Sequence, residues 1–169
     1  MTSTKTNIVL IGMPGAGKST VGVILAKKML RDFVDTDLLI QAAEGRCLQE
    51  IVDTDGYLRL REIEEQLLLS LDVQNHVVAT GGSAVYSDRA MNYLKSHGQL
   101  IFLQVELVAL QARVPDYSSR GLAKHLDQSF DELFEERLQL YRRYADITIT
   151  CAGLTQEQVC QQIILKTAI

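Results

Sequence analysis

Gly12-Met13-Pro14-Gly15-Ala16-Gly17-Lys18-Ser19 has the spacing GxxxxGK followed by a hydroxyl residue, with Thr20 next in the chain. Glycines at these positions let backbone N–H groups turn inward around an anionic oxygen, and a helix opening at Thr20 adds partial positive charge. Lys18 would then reach the β- and γ-phosphates of a nucleotide, and the Ser19 hydroxyl would be a magnesium ligand. The motif follows the short apolar run NIVLIG and precedes a segment of helical periodicity, which is the context its mechanism needs.

Further along, Phe33-Val34-Asp35-Thr36-Asp37 ends a second apolar run, and a period of two puts both carboxylates on one side of a strand end. Phosphoryl transfer has work for two acids there: one holds magnesium through water, the other orients and deprotonates the accepting hydroxyl. Asp37 also reads as the N-cap of the next helix, a role compatible with catalysis. Val77-Val78-Ala79-Thr80-Gly81-Gly82 reads as a buried strand ending in paired glycines, where a ligand can approach the backbone closely or the chain simply turns. Ser83 follows them, and its hydroxyl either donates to a substrate hydroxyl or narrows the pocket.

Four arginines are candidates with an ordinary competing explanation. Arg61 has Glu64 and Glu65 at i+3 and i+4, and Arg137 stands beside Glu135 and Glu136, so surface ion pairing accounts for both in isolation. Arg113 precedes and Arg120 lies within residues 114–127, VPDYSSRGLAKHLD, the longest stretch without a clear period and the candidate lid. Asp53-Thr54-Asp55-Gly56 fits a DxxG pattern but follows a helical segment rather than a buried strand, and reads as a turn between helices. His76, His97 and His125 lack metal-ligand spacing.

The elements that must hold these residues alternate along the chain. Strand-like runs lie at 7–12, 32–35, 76–80, 99–104 and 146–150, and helical periodicity at 17–30, 37–44, 47–52, 57–72, 87–97, 106–113, 128–144 and 155–167. Such alternation predicts a mainly parallel sheet with helices on both faces and ligands at the carboxyl ends of the strands. With 169 residues, 47% hydrophobic and 22% charged, the chain has the length and composition of one ordinary globular domain. Seventeen Lys and Arg against 21 Asp and Glu give a net charge of -4, which argues against an electrostatic footprint for nucleic acid or anionic membrane. Cys47, Cys151 and Cys160 show no CxxC spacing and suit free thiols in a reducing compartment, so a cytoplasmic protein is expected.

Taken together, these residues resemble the shikimate kinase family from Asn7 to Ile149. GMPGAGKSTVG is similar to that family's phosphate-loop segment, FVDTDLLI and EGRCLQEI to its aspartate motif and the helix after it, and Gly56, Arg61 and Glu64 keep its substrate-region spacing. ATGG at 79–82 looks like its glycine motif, Arg113 and Arg120 keep its lid spacing, and Glu136-Arg137 with Tyr141 and Ala145-Asp146 looks like its final signature. The resemblance implies a three-layer α/β P-loop fold of the nucleoside-monophosphate-kinase type, with a five-stranded parallel sheet. It also implies a substrate-binding helical region at about 37–62 and a lid at about 114–125. The implied reaction is phosphorylation of a shikimate hydroxyl by ATP with Mg2+, giving shikimate 3-phosphate and ADP.

Residue by residue, the resemblance implies that Gly12, Gly15, Ala16, Gly17, Lys18, Ser19 and Thr20 bind ATP, with Lys18 also catalytic. Asp37 would orient the acceptor and act as base, and Ser19 with Asp35 would hold magnesium. Arg61 and Arg137 would take the substrate carboxylate, and Gly81 and Gly82 would pack against its ring with a backbone N–H donor. Arg113 would stack on adenine, and Arg120 would swing in to the phosphates as a catalytic residue. The chain departs from the family's usual residues at Leu60 (phenylalanine), Ser83 (a third glycine), Gly121 (the lid proline) and Gln139 (proline). A kinase for another hydroxylated acid, such as a gluconate-like one, stays open beside this reading, as does an inactive nucleotide-binding module. The expected partner is a small anionic hydroxylated acid, with no nucleic acid, no membrane and a monomeric state.

Overall fold

The computed structural model describes residues 5–114 and 116–167. Its frame is a five-stranded sheet of order β2-β3-β1-β4-β5, every pairing parallel. The strands are β1 (Asn7–Ile11), β2 (Asp32–Asp35), β3 (His76–Ala79), β4 (Gly98–Gln104) and β5 (Ile147–Thr150). β1 lies between β3 and β4 and is buried at all five residues, which is why NIVLI shows no polar alternation. Its carboxyl end delivers Gly12 into the middle of the sheet edge where ligands of such folds sit.

Among the described residues eight α-helices complete the layers: α1 (Lys18–Met29), α2 (Thr36–Glu44), α3 (Leu48–Asp55), α4 (Tyr57–Ser70), α5 (Asp88–His97), α6 (Leu107–Arg113), α7 (Phe130–Tyr144) and α8 (Gln156–Lys166). α7 and α8 start on side-chain caps, Ser129 Oγ accepting from Glu132 N–H (3.1 Å) and Thr155 Oγ1 from Gln158 N–H (3.2 Å). None of the helices among the described residues is long and apolar enough to cross a membrane.

Two hydrophobic clusters position the site. The larger surrounds the sheet and includes Ile8, Leu10, Leu25, Leu100, Ile101 and Ile149. The smaller joins Ile40 of α2, Ile51 of α3 and Leu60 and Ile63 of α4 to Ala123, which lies far along the chain in the candidate lid. That second cluster ties the helical region opposite the phosphate loop to the lid.

Two expectations change here. α3 runs to Asp55, so residues 53–55 are helix rather than turn, and the break is Gly56 alone (φ 88, ψ 161). The Glu50 carboxylate accepts the Cys47 N–H (2.7 Å), and Asp55 pairs with Arg46, which together hold both ends of this short helix. After Gly82 the chain makes an unexpected 3₁₀ turn at Ala84–Tyr86.

Candidate active site

The phosphate loop closes through Ala16 N–H donating to Met13 O (3.0 Å), and Gly17 enters α1 in the left-handed region (φ 94). Lys18 is 8% exposed, with Nζ donating to Gly12 O (2.7 Å) and Met13 O (2.9 Å). Burial pushes its pKa down to about 8, with Asp37 pulling the other way. The ammonium is thus held ready inside the loop by neutral carbonyls that anionic oxygens can replace.

Asp35, not Asp37, caps α2. Its Oδ1 accepts the N–H groups of Asp37 (3.0 Å) and Leu38 (3.4 Å), while Oδ2 accepts from Ser19 Oγ (2.5 Å). The strand ends at Asp35, so Asp37 stands in the first turn of α2 instead of alternating with Asp35 along β2. The Asp37 carboxyl lines the cleft, and burial raises its pKa against the attraction of Lys18. Ser19 and Asp35 make a pair of hard oxygen donors, and no group of three or more His, Cys, Asp or Glu that could hold a metal occurs among the described residues. A cation that keeps several waters and takes its remaining ligands from phosphate fits such a pair, which is the habit of magnesium.

Gly81 and Gly82 are required by what lies behind them. A Cβ on Gly81 would sit on Glu64 Oε1 and 2.7 Å from Asp37 Oδ1, and one on Gly82 would come 2.7 Å from Arg137 Nη1 and 2.8 Å from Pro14 Cδ. The expected backbone donor is not Gly81, whose N–H is given to Thr36 Oγ1 (3.2 Å). Glu64 is 3% exposed, and burial followed by the Asp37 charge pushes its pKa up to about 7. It makes no ion pair with Arg61, and Glu65 instead pairs with Arg89 (3.4 Å).

The surface reading of the two inner arginines also fails. Arg137 is 1% exposed; its Nη2 donates to Ala123 O (3.2 Å) and its Nε to Tyr86 Oη (3.4 Å). Arg61, half-buried, donates to the same Ala123 O from Nε (3.3 Å) and Nη2 (2.9 Å), with Cζ 3.5 Å above the Tyr86 ring. Two guanidiniums therefore converge on one neutral oxygen, and no salt bridge to either occurs among the described residues. A carboxylate would satisfy that pair far better than a carbonyl does.

Arg113 and Arg120 are exposed and line the same cleft of about 570 Å³ as Lys18, Asp37, Glu64 and Arg137. Arg113 Nη1 donates to Gly15 O (3.2 Å), which ties the end of α6 to the phosphate loop. Of the candidate lid, Pro115 lies outside the described residues. The segment 121–123 is docked: Gly121 N–H donates to Gln49 Oε1 (2.6 Å), and Leu122 and Ala123 are buried, while Ser118, Ser119 and Arg120 are exposed.

Sequence reasoning placed Glu64 in the substrate-region spacing without giving it a role, and passed over Tyr86 and Ala123. For Glu64 a signal existed, because Leu60, Glu64 and Leu68 follow at i, i+4 and i+8 on the buried face of α4. Nothing local marks Tyr86 or the Ala123 carbonyl.

The shikimate kinase family model matches residues 14–168. A shikimate kinase of Thermodesulfovibrio yellowstonii is 38% identical over 161 residues, 94% of this chain and 92% of the relative. The structure of shikimate kinase from Acinetobacter baumannii in complex with shikimate superposes with a TM-score of 0.81 at 29% identity, covering 96% of this chain and 92% of that one. A gluconokinase from Sinorhizobium meliloti, at 17% identity and a TM-score of 0.52 over 95% of this chain and 90% of its own, shares the fold alone.

Proposed function

The chain belongs to the shikimate kinase family, and from that premise we propose how its residues carry out the ATP-dependent phosphorylation of shikimate. When bound, ATP with magnesium supplies the transferable phosphoryl group and a cation that neutralises its developing charge.

Gly12, Gly15, Ala16, Gly17 and Thr20 wrap the phosphates through the backbone and the start of α1. Lys18 exchanges the carbonyls of Gly12 and Met13 for phosphate oxygens, whose charge restores a firmly protonated ammonium. Ser19 would hold the magnesium, with Asp35 beside it to support it through water. Asp37 takes the proton of the accepting hydroxyl; a carboxyl whose pKa burial has raised is a better base than an exposed one.

Arg61 and Arg137 take the shikimate carboxylate in place of the Ala123 carbonyl, while Gly81 and Gly82 border the ring. Arg113 covers adenine, and Arg120 comes to the phosphates as the lid of 114–125 closes. We further propose that the protein works as a cytoplasmic monomer on this small anion, without nucleic acid or membrane partners. Its net charge of -4 and three free cysteines support that placement.

The observation that carries the reading is the convergence of Arg61 and Arg137 on the carbonyl of Ala123, which with Arg137 lines the cleft of Lys18 and Asp37, while Arg61 reaches it from a neighbouring pocket bordered by Glu64, Ser83 and Tyr86. A coupled ADP-release assay with a panel of shikimate, quinate, gluconate and nucleoside monophosphates tests it. Shikimate is expected to be phosphorylated fastest; faster turnover of quinate, gluconate or a nucleotide would overturn the assignment of the acceptor.

A further inference from the structure

The position after the glycine pair carries a hydroxyl, and that hydroxyl is committed to a neighbour. Ser83, 9% exposed, donates to Glu64 Oε2. A serine hydroxyl has one proton, so Ser83 in this state has none to offer a substrate. The other carboxylate oxygen, Glu64 Oε1, is buried without a hydrogen-bond partner among the described residues. Oε1 and Asp37 Oδ1 both crowd the place where a Cβ on Gly81 would stand, so the two carboxylates reach one point on the cleft floor from α4 and α2. Lys18 from the phosphate loop and Arg137 from α7 contribute the opposing charge at Glu64.

A buried acceptor with no donor is costly, and such a group calls for an explanation. The cleft it borders is the one assigned above to a polyhydroxylated acid, and this inference rests on that assignment. We infer that Ser83 is a positioning residue for the acceptor: by clamping Glu64 Oε2 it aims Oε1 at a second substrate hydroxyl, beside the one Asp37 deprotonates. The clamp belongs to this chain, since the family's usual residue at this position is a glycine, which has no hydroxyl to give. Ser83 acts through Glu64 and touches no reacting atom.

The test uses Ser83→Ala and Ser83→Gly, each alone and combined with Glu64→Gln. They are assayed on shikimate and on the monodeoxy analogues that keep the phosphorylated hydroxyl, with melting temperature as a folding control. Loss of the clamp is expected to raise KM for shikimate about 2- to 10-fold, with kcat and the KM for ATP within about twofold of wild type. The rise should vanish in the Glu64→Gln background and with one monodeoxy analogue. An unchanged KM, an equal rise in the Glu64→Gln background, or a fall in kcat and melting temperature without a KM shift would overturn the positioning role. So would faster turnover of shikimate by Ser83→Gly, which would make the serine an obstacle. A wild-type protein inactive on shikimate would remove the acceptor assignment and this inference with it, whereas an active wild type with indifferent variants removes only the inference.

Discussion

Arg61 and Arg137, on helices α4 and α7, donate to a single oxygen, the carbonyl of Ala123. The contact links the anion site to the lid, because a carboxylate entering between the guanidiniums has to displace the segment that carries Ala123. Replacing either arginine with alanine should therefore raise KM for shikimate roughly 10- to 150-fold, the worth of a charge-assisted hydrogen bond of about 1.5–3 kcal/mol. The KM for ATP should barely move. Steady-state kinetics with each substrate varied in turn checks this.

Lys18→Ala should remove detectable phosphoryl transfer, since its charge counts most when charge builds on the transferring group. In the nucleotide-free protein Lys18 titrates near 8 instead of 10.5. The unfolded chain then holds more protons than the folded one between those values, so this group makes the nucleotide-free fold more stable as pH rises through that window and costs it most below it. Nucleotide affinity runs the other way, weakening as pH rises past about 8 and the ammonium is lost. Calorimetric titration in buffers of different ionisation enthalpy should detect proton uptake on ATP binding above that pH.

Asp37→Asn should leave ATP binding by calorimetry intact while kcat falls by about 10²-fold or more, the scale of a lost general base. Because Asp35 and not Asp37 caps α2, the melting temperature should change little. A collapse of ATP affinity with turnover preserved would make Asp37 a structural residue.

Glu64 gives a pH signature of its own. Its folded-state pKa of about 7 lies above the ordinary 4.5, so the folded protein keeps a proton that the unfolded chain has released. Stability attributable to this group therefore falls between those values and the full penalty, up to about 3 kcal/mol, applies above pH 7. Glu64→Gln should raise the melting temperature of the substrate-free protein at pH 8 and have no such effect at pH 4, as differential scanning calorimetry would show.

Gly121 sits at φ +61 with its N–H given to Gln49 Oε1, and a Cβ there would come 2.6 Å from the Leu48 backbone. Gly121→Pro cannot adopt that φ, has no N–H and meets α3. The variant should undock the lid from α3, and hydrogen exchange across 116–125 should speed up in the absence of ligand. Unchanged exchange would show that the docking does not depend on Gly121.

The phosphate loop, the alternation of strand and helix, and the two acids at the end of β2 and the start of α2 were legible in the sequence because each is a matter of local spacing. A turn around an anion needs its glycines and lysine at set intervals, and a doubly covered strand must be apolar throughout. Local spacing misled where burial decided the outcome. Glu64 and Arg61 stand three apart on α4, as a surface ion pair would, yet packing of α4 against α2 and the glycine pair turned Glu64 inward toward Asp37 and left Arg61 to the lid. Ser83 as a clamp, Asp35 as the cap and Ala123 as the stand-in between two arginines depend on partners brought together by the sheet from distant parts of the chain. A sequence states which groups a residue carries, and only the packed chain states what each group faces, how much water it has lost and therefore which way its charge leans.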